Sequence, residues 1–490
     1  MNTMSYVSQS TGYWFLAIFA VAITFITYYF SRRQNWHTKE GFLLANRKVG
    51  WVLGGCSIAS SWIWAPALFV SVQTAYQMGL AGIFWFTLPN VVALLIFAVF
   101  APRIRARLPE GYTFTQYIKY RLESDRVHKV FLFPYIFYQL MAVVVQLFAG
   151  GSLLSLMTGI PLTIVMPILA LIVLIYTLIS GFRASVITDF VQLGLIYLIG
   201  IIVLPLTWHA AGGLQAIVAG FQGTQGIKSI FDPGIAFSFG IVTSIGLIAG
   251  SIADQSNWQR AFAVKEGSVV KAFLFGSLLF ALVPLALSSL GFIGANPALH
   301  ITLPHGIDSS MIGVQTVATL LPLWAVSLFV IMLLAGLSSA LDGGLSALSS
   351  LWVADIVKPK NDDEAVKAAR YSMVGITILG LLVSLGALYI PNFGLQQLWW
   401  VFNTIAACIM VPTVLSLYWD KLSERGVFWG VLVSFVIGIP LFIYGNIINQ
   451  PVWIVGASLF IVAISTLFSV LIPRKIPWVP NLSAAAQKAG

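Results

Sequence analysis

Apolar residues run along this chain in long blocks separated by short polar stretches. About twenty consecutive apolar residues let a helix cross the hydrocarbon of a bilayer. Thirteen such segments are predicted, near 12–30, 51–77, 80–101, 130–156, 161–180, 187–208, 236–258, 269–293, 320–355, 371–390, 396–418, 427–445 and 452–472. One of them carries a polar stripe. Ala335, Ser339, Asp342, Ser346 and Ser350 recur at three- and four-residue spacing and so share one helix face. In lipid, hydroxyls and a carboxylate on one face must look into a cavity or onto another helix. Their oxygens suit a small hard cation.

Two further segments are interrupted. The span 51–77 crowds Gly54, Gly55, Cys56, Ser57, Ala59, Ser60 and Ser61 ahead of Pro66. The span 236–258 has Gly240, Gly246 and Gly250, with Thr243, Ser244 and Ser251 among them. Small residues let helices approach closely, and proline removes a helical hydrogen bond. Each segment reads either as a packing face or as a helix that breaks in mid-membrane and exposes carbonyls to an ion. Because they lie five spans apart, in corresponding positions of two halves, they predict an inverted-repeat transporter.

Composition fixes the class. Charged residues form 9% of the chain and hydrophobic ones 59%, whereas a soluble domain has about 25% charged residues. The fold class is therefore an all-α polytopic membrane protein. A net charge of +10 invites a nucleic-acid partner, but topology accounts for it. With the N-terminus outside and loops alternating, every one of the 26 Lys and Arg residues except Lys228 falls inside, Arg32, Arg33, Arg260 and Lys488 included. The expected partners are the lipid bilayer, a small solute and a coupling ion. No basic residue precedes the first apolar run, so it does not read as a cleaved signal. Cys56 and Cys408 both sit in apolar segments and form no disulfide framework. No G-x-x-x-x-G-K-[ST] loop occurs. His209, His300 and His305 fall in outer loops and His37 and His128 in inner ones, which leaves no acid–base set at mid-membrane. An enzyme is not expected, and a transporter-fold sensor would normally carry a signalling domain.

The polar-striped segment AGLSSALDGGLSALSSLWVADIVKP (335–359) resembles the eighth-core-helix signature of the solute:sodium symporters. GFRASVITDFVQ (181–192) resembles their approach to core helix five, and ADQSNWQRAFAVK (253–265) their Asp-Gln-x-x-x-Gln-Arg motif after core helix six. Within the family, Ser60 to Phe86 is similar to the urea and polyamine permeases. Trp62, Trp64, Ala65, Tyr76, Gly79, Gly82, Phe84 and Trp85 carry that match.

The resemblance implies a LeuT-type five-plus-five inverted repeat in a single transporter domain. The repeats would be 51–208 and 236–418, with an extra helix at 12–30, two more at 427–472, and a cytoplasmic tail at 473–490. It also implies a Na⁺ site between core helices one and eight. The ligands would be the carbonyls of Cys56 and Ala59, the carbonyl of Ala335 and the hydroxyls of Ser338 and Ser339. Read without the resemblance, those hydroxyls could equally bond their own backbone. Asp342 stands where many members have a small or hydroxyl residue, and Asp189 occupies the helix-five carboxylate position. Together they suggest a second cation site or a proton-sensitive exit path. A structural hydrogen bond for Asp342 is the other reading.

The solute pocket implied by the fold would draw on Trp62, Trp64, Tyr138, Gln139, Gln146, Thr243, Asn403 and Thr404. Leu247 and Gly250 stand where sugar carriers have polar side chains, which argues against a hexose. The aromatic residues around Trp62 and Trp64 form either a pocket wall or an interfacial belt. The expected function is Na⁺-coupled symport of a small polar solute, urea-like, into the cell across its plasma membrane. Proton coupling, or another solute such as an amino acid, polyamine or carboxylate, is the alternative.

Overall fold

The computed structural model describes residues 6–31, 37–304, 306–390 and 394–480. Arg32, Arg33, His305 and Lys488 lie outside the described residues. Among those described, the chain is helical, and its strand-like pairing is a single parallel bridge, Val49 with Val264. Twelve helices are long and apolar enough to cross a membrane. The count is one short of the thirteen predicted spans because the residues on either side of Gly79, 66–78 and 80–107, run together as one helical stretch although the chain turns sharply between them. A short helix α2 (Trp51–Trp62) follows α1 (Gln9–Ser31), then stops, and the chain resumes as α3 (Pro66–Arg107).

At the predicted boundary near 78–80, α3 divides into two helical arms, 66–78 and 80–107, at Gly79, whose φ of 60° and ψ of −140° are not helical. The chain doubles back there: a β-carbon on Gly82 would lie 2.2 Å from the Thr74 carbonyl oxygen, which a straight helix does not allow. Only glycine fits at position 79. Its φ is positive, and a β-carbon would fall 2.0 Å from the Phe221 carbonyl oxygen. The first arm ends at Gly79, and the carbonyls of Tyr76 and Gln77 accept from the amides of Thr224 and Gln225, at 2.8 and 3.0 Å. Leu80 N–H in turn donates to Phe221 O at 2.9 Å.

A short helix, α4 (Phe114–Leu122), precedes α5 (Asp125–Thr158), α6 (Leu162–Ser180) and α7 (Phe182–Ala210). After the loop that follows α7 come α8 (Pro233–Ala253), the short α9 (Gln255–Ala263), α10 (Val269–Ala295), α11 (Leu323–Val357), α12 (Asp362–Ala387) and α13 (Leu395–Tyr418). Two last helices, α14 (Glu424–Ile447) and α15 (Pro451–Leu471), complete the order. α10 packs on α2 and α3, α8 on α13, and α11 on α5 and α7. The outer face of α1 exposes Trp14, Ile18, Val21 and Phe25. Such a face suits acyl chains, since lipid tails are as apolar as leucine.

The two interrupted segments differ. α2 ends at Ile63–Trp64, just before Pro66, where the missing amide hydrogen ends helical bonding. α8 instead begins with a π-helical turn at Ala236–Ile241 and runs unbroken through Gly246 and Gly250. It stops only at Asp254, which is extended with ψ 101°. The two glycines serve packing. A β-carbon on Gly250 would lie 2.0 Å from Asn403 Oδ1 and 2.8 Å from the Tyr138 hydroxyl.

Candidate functional site

The break after α2 opens onto a small aromatic pocket. It is lined by Trp62, Trp64, Pro66, Ala67, Phe86, Asn90, Tyr138, Leu247, Trp399 and Asn403. Its free volume of about 20 Å³ is enough for a single water, so a solute of a few heavy atoms enters only if the lining side chains move apart. The walls are held against one another. Trp64 stacks on Phe402 at 5.4 Å between ring centres and lies 5.4 Å from Tyr138. The Trp64 indole N–H donates to the Ser61 carbonyl at 2.5 Å, taking up one of the carbonyls freed where α2 ends. Gln146 Oε1 accepts from the Ala65 amide at 2.9 Å and so caps the other side of the break.

Two amides, Asn90 and Asn403, join the Tyr138 hydroxyl and the indole N–H groups as the polar groups of the pocket. Asn90 Oδ1 accepts from the Trp62 indole at 3.1 Å, while its Nδ2 donates to Phe86 O at 2.8 Å. Asn403 Nδ2 donates to Trp399 O at 2.9 Å, and its Oδ1 accepts from the Tyr138 hydroxyl at 3.4 Å. Each amide nitrogen keeps a second hydrogen. An aromatic cage with amide donors suits a small, neutral, polar and flat solute.

Behind the break lies a buried polar cluster joining α2, α7, α9 and α11. Ser339 donates to Asp189 Oδ1 and pairs with Ser60 at 2.7 Å. Ser57 donates to Asp189 Oδ2 at 2.5 Å, and Arg260 Nη2 donates to the same oxygen at 2.9 Å. Arg260 Nε also reaches Ser57 at 2.9 Å, and its Nη1 reaches the Ser256 carbonyl at 3.1 Å. Ser338 donates to Ala335 O at 3.1 Å and accepts from Gln192 Nε2 at 2.8 Å. Asp342 has a separate set of partners. Its Oδ1 accepts from Ser185 at 2.6 Å, and its Oδ2 from Tyr176 and Thr188 at 2.9 and 3.1 Å. All these acidic and hydroxyl side chains are buried. Because the Ser339 proton is committed to Asp189, Ser60 is the donor in the Ser60–Ser339 pair, and the remaining lone pair of the Ser339 hydroxyl is left as an acceptor.

The family model of the sodium:solute symporter family matches residues 42–434. The chain belongs to the sodium:solute symporter family. It is 23% identical to a urea-proton symporter of Oryza sativa subsp. japonica, over 89% of this chain and 66% of the relative, and so spans about two thirds of that protein's length. It is 24% identical to the sodium/pantothenate symporter of Escherichia coli, over 86% of this chain and 88% of the relative. Among solved structures, a Na⁺-coupled sialic acid symporter in a substrate-bound outward-open state superposes with a TM-score of 0.74 at 16% identity. That match covers 95% of this chain and 99% of the other. The fold is thus the LeuT-type inverted-repeat architecture of transporters, and the family is one of transporters and not of enzymes.

Of the solute residues expected from the symporter family resemblance, Trp62, Trp64, Tyr138 and Asn403 line the pocket. Gln146 supports the break. Thr243 and Thr404 are buried outside the lining, and Gln139 lies beside Asp254, its Nε2 donating to Asp254 Oδ1 at 3.2 Å. Of the expected ion ligands, Ala335, Ser338 and Ser339 are adjacent. The Ala59 carbonyl accepts the Ile63 amide at 3.0 Å, and Cys56 lies three residues further back, inside unbroken helix. Asp189 and Asp342 are both buried, on separate hydrogen-bond partners.

Asn90, Trp399, Arg260 and Gln192 were not foreseen. Asn90 had a signal, a lone amide in an otherwise apolar run. Arg260 counts as an inner-loop charge by position, yet α9 folds it back into the protein, where it is 1% exposed. His128 likewise leaves the inner loop for the buried first turn of α5, bonded to Asp355 at 2.7 Å.

Proposed function

We propose that this protein is a Na⁺-coupled symporter that brings a small, neutral, amide-like solute, urea being the best guess, into the cell by alternating access. It would sit in the plasma membrane with its N-terminus outside and its C-terminus in the cytoplasm. Residues 51–208 and 236–418 would form the two repeats. The observation that carries this reading is the adjacency of two features at the end of α2. One is the aromatic–amide pocket, and the other is a hydroxyl pair, Ser338 and Ser339, whose protons are already committed to Ala335 O and Asp189. A cation there would draw on Ala335, Ser338 and Ser339 from α11 and on the carbonyls of Cys56 and Ala59. The Gln192 amide would have to turn away from Ser338 to admit it. Asp189 and Asp342 would serve as a second cation site or as a negative field behind the first.

Trp62, Trp64, Tyr138 and Asn403 would contact the solute, joined by Asn90 and Trp399. Gln146, Thr243 and Thr404 would shape the path around them. Energetically one ion is enough. A tenfold Na⁺ gradient supplies about 1.4 kcal/mol, and 100 mV adds about 2.3 kcal/mol. Together these concentrate a neutral solute several hundred-fold.

The test is uptake of labelled urea into proteoliposomes under an inward Na⁺ gradient, compared with K⁺. The Ser338→Ala/Ser339→Ala double variant is run alongside. Sodium-driven uptake that the double variant loses supports ion, site and solute together. Equal uptake under both ions removes sodium coupling, and no uptake under either removes urea. A second reading, proton coupling, is favoured by Asp254, a buried carboxyl with no cation beside it.

A further inference from the structure

Asp254 sits where α8 ends and α9 begins, fully buried on the inner side of the pocket. Its Oδ1 accepts from the Ser256 amide at 2.8 Å and from Gln139 Nε2 at 3.2 Å. Its Oδ2 has no hydrogen-bond partner, and neither has Gln139 Oε1. Among the described residues no basic nitrogen lies within ion-pair distance of it. The nearby cation, Arg260, directs its Nε, Nη1 and Nη2 to Ser57, Ser256 and Asp189. The other ionisable groups around it are Tyr135 and Tyr138 on α5, with Asp355 further along α11. The Tyr135 hydroxyl is spent on the Ile252 carbonyl, and that of Tyr138 on Asn403.

Every atom lacking a partner in this carboxyl–amide pair is an acceptor. A carboxylate buried without an ion-pair partner is costly, and so is a buried acceptor without a donor. A single proton removes both penalties. On Asp254 Oδ2 it cancels the charge and provides a donor for Gln139 Oε1, while Gln139 Nε2 continues to donate to Oδ1.

We infer that Asp254, paired with the Gln139 amide, is a proton-binding site of this transporter, loaded while the inner side is closed and emptied to the cytoplasm when it opens. The step is balanced: the carboxylate takes one proton and becomes a neutral acid, then returns it. Its role in coupling rests on the second, proton-coupled reading above, whereas the protonation itself does not.

Infrared difference spectra of the full-length protein in liposomes, between acid and alkaline buffer, test it directly. The expected result is a carboxylic-acid C=O band that vanishes in Asp254→Asn and moves in frequency in Gln139→Leu, where the amide acceptor is gone. A band that survives Asp254→Asn unchanged overturns the assignment, as does a wild type with no such band. If Asp254→Asn cannot be obtained folded, Gln139→Leu decides alone, and an unshifted band overturns the pairing. Uptake driven by a proton gradient should fall at least tenfold in Asp254→Asn. If wild type carries no solute under any gradient while the band behaves as expected, the symport reading fails and the proton site stands.

Discussion

Arg260 and Asp189 offer the sharpest test of the polar cluster, because both are almost completely removed from solvent, at 1% and 0% side-chain exposure. At the 2.9 Å separation of Arg260 Nη2 and Asp189 Oδ2, screening by water is slight. Breaking such a pair from one side strands a charge and costs about 3–5 kcal/mol. Arg260→Met also strips a donor from Ser57 and from the Ser256 carbonyl, so the upper half of that range applies. Asp189→Asn should be similarly harmful, since the guanidinium would then have only neutral partners. The double variant Asp189→Asn/Arg260→Met removes both charges. It loses only neutral hydrogen bonds, at about 0.5–1.5 kcal/mol each, and should lie well above the sum of the singles, with a coupling of at least about 2 kcal/mol. Equilibrium unfolding in mixed micelles, followed by tryptophan fluorescence across all four proteins, gives that coupling. If the double variant is as unstable as the two singles added, the charges are not paired in the folded protein and the cluster has been misread.

Three further outcomes are expected. Gly250→Ala places a methyl 2.0 Å from Asn403 Oδ1 and 2.8 Å from the Tyr138 hydroxyl. Overpacking of this kind costs about 1–3 kcal/mol, and in an uptake assay KM for the solute should rise roughly tenfold or more. Trp64→Phe keeps the ring but removes the donor to Ser61 O. Thermal denaturation should show a loss of about 1 kcal/mol, and an unchanged midpoint would mean that the indole bond does not hold the break. Gly79→Ala forces a side chain into positive φ and against Phe221 O. Backbone strain of about 1–3 kcal/mol should appear as a poorly expressed or less stable protein, more so than in Gly375→Ala, where a β-carbon meets nothing within 4 Å.

Periodicity made the stripe on α11 readable, because a helix face is fixed by spacing alone, and Ala335, Ser339, Asp342, Ser346 and Ser350 are all buried together. Pro66 marked the break of α2 for an equally local reason. What eluded the sequence was anything set by how distant helices meet. Gly246 and Gly250 resemble a break and act as clearance for Asn403 of α13 and, at Gly250, for Tyr138 of α5. Arg260 and His128 are polar residues at the ends of apolar runs, which a topology count assigns to water. Each is carried inside by a partner well removed in sequence, Asp189 for one and Asp355 for the other. Gln139 follows the same logic. Its helix was foreseen, but its neighbour Asp254 comes from the other half of the chain.

The segment that caps the turn at Gly79 has a use of its own. Thr224 and Gln225 give their amides to the carbonyls of Tyr76 and Gln77, in the last turn before the chain reverses. Any movement that draws the first arm of α3 away from this segment would release two backbone protons to exchange. Amide hydrogen exchange at Thr224 and Gln225 therefore reports whether that arm has moved, without a label on the transport path and without knowing the solute.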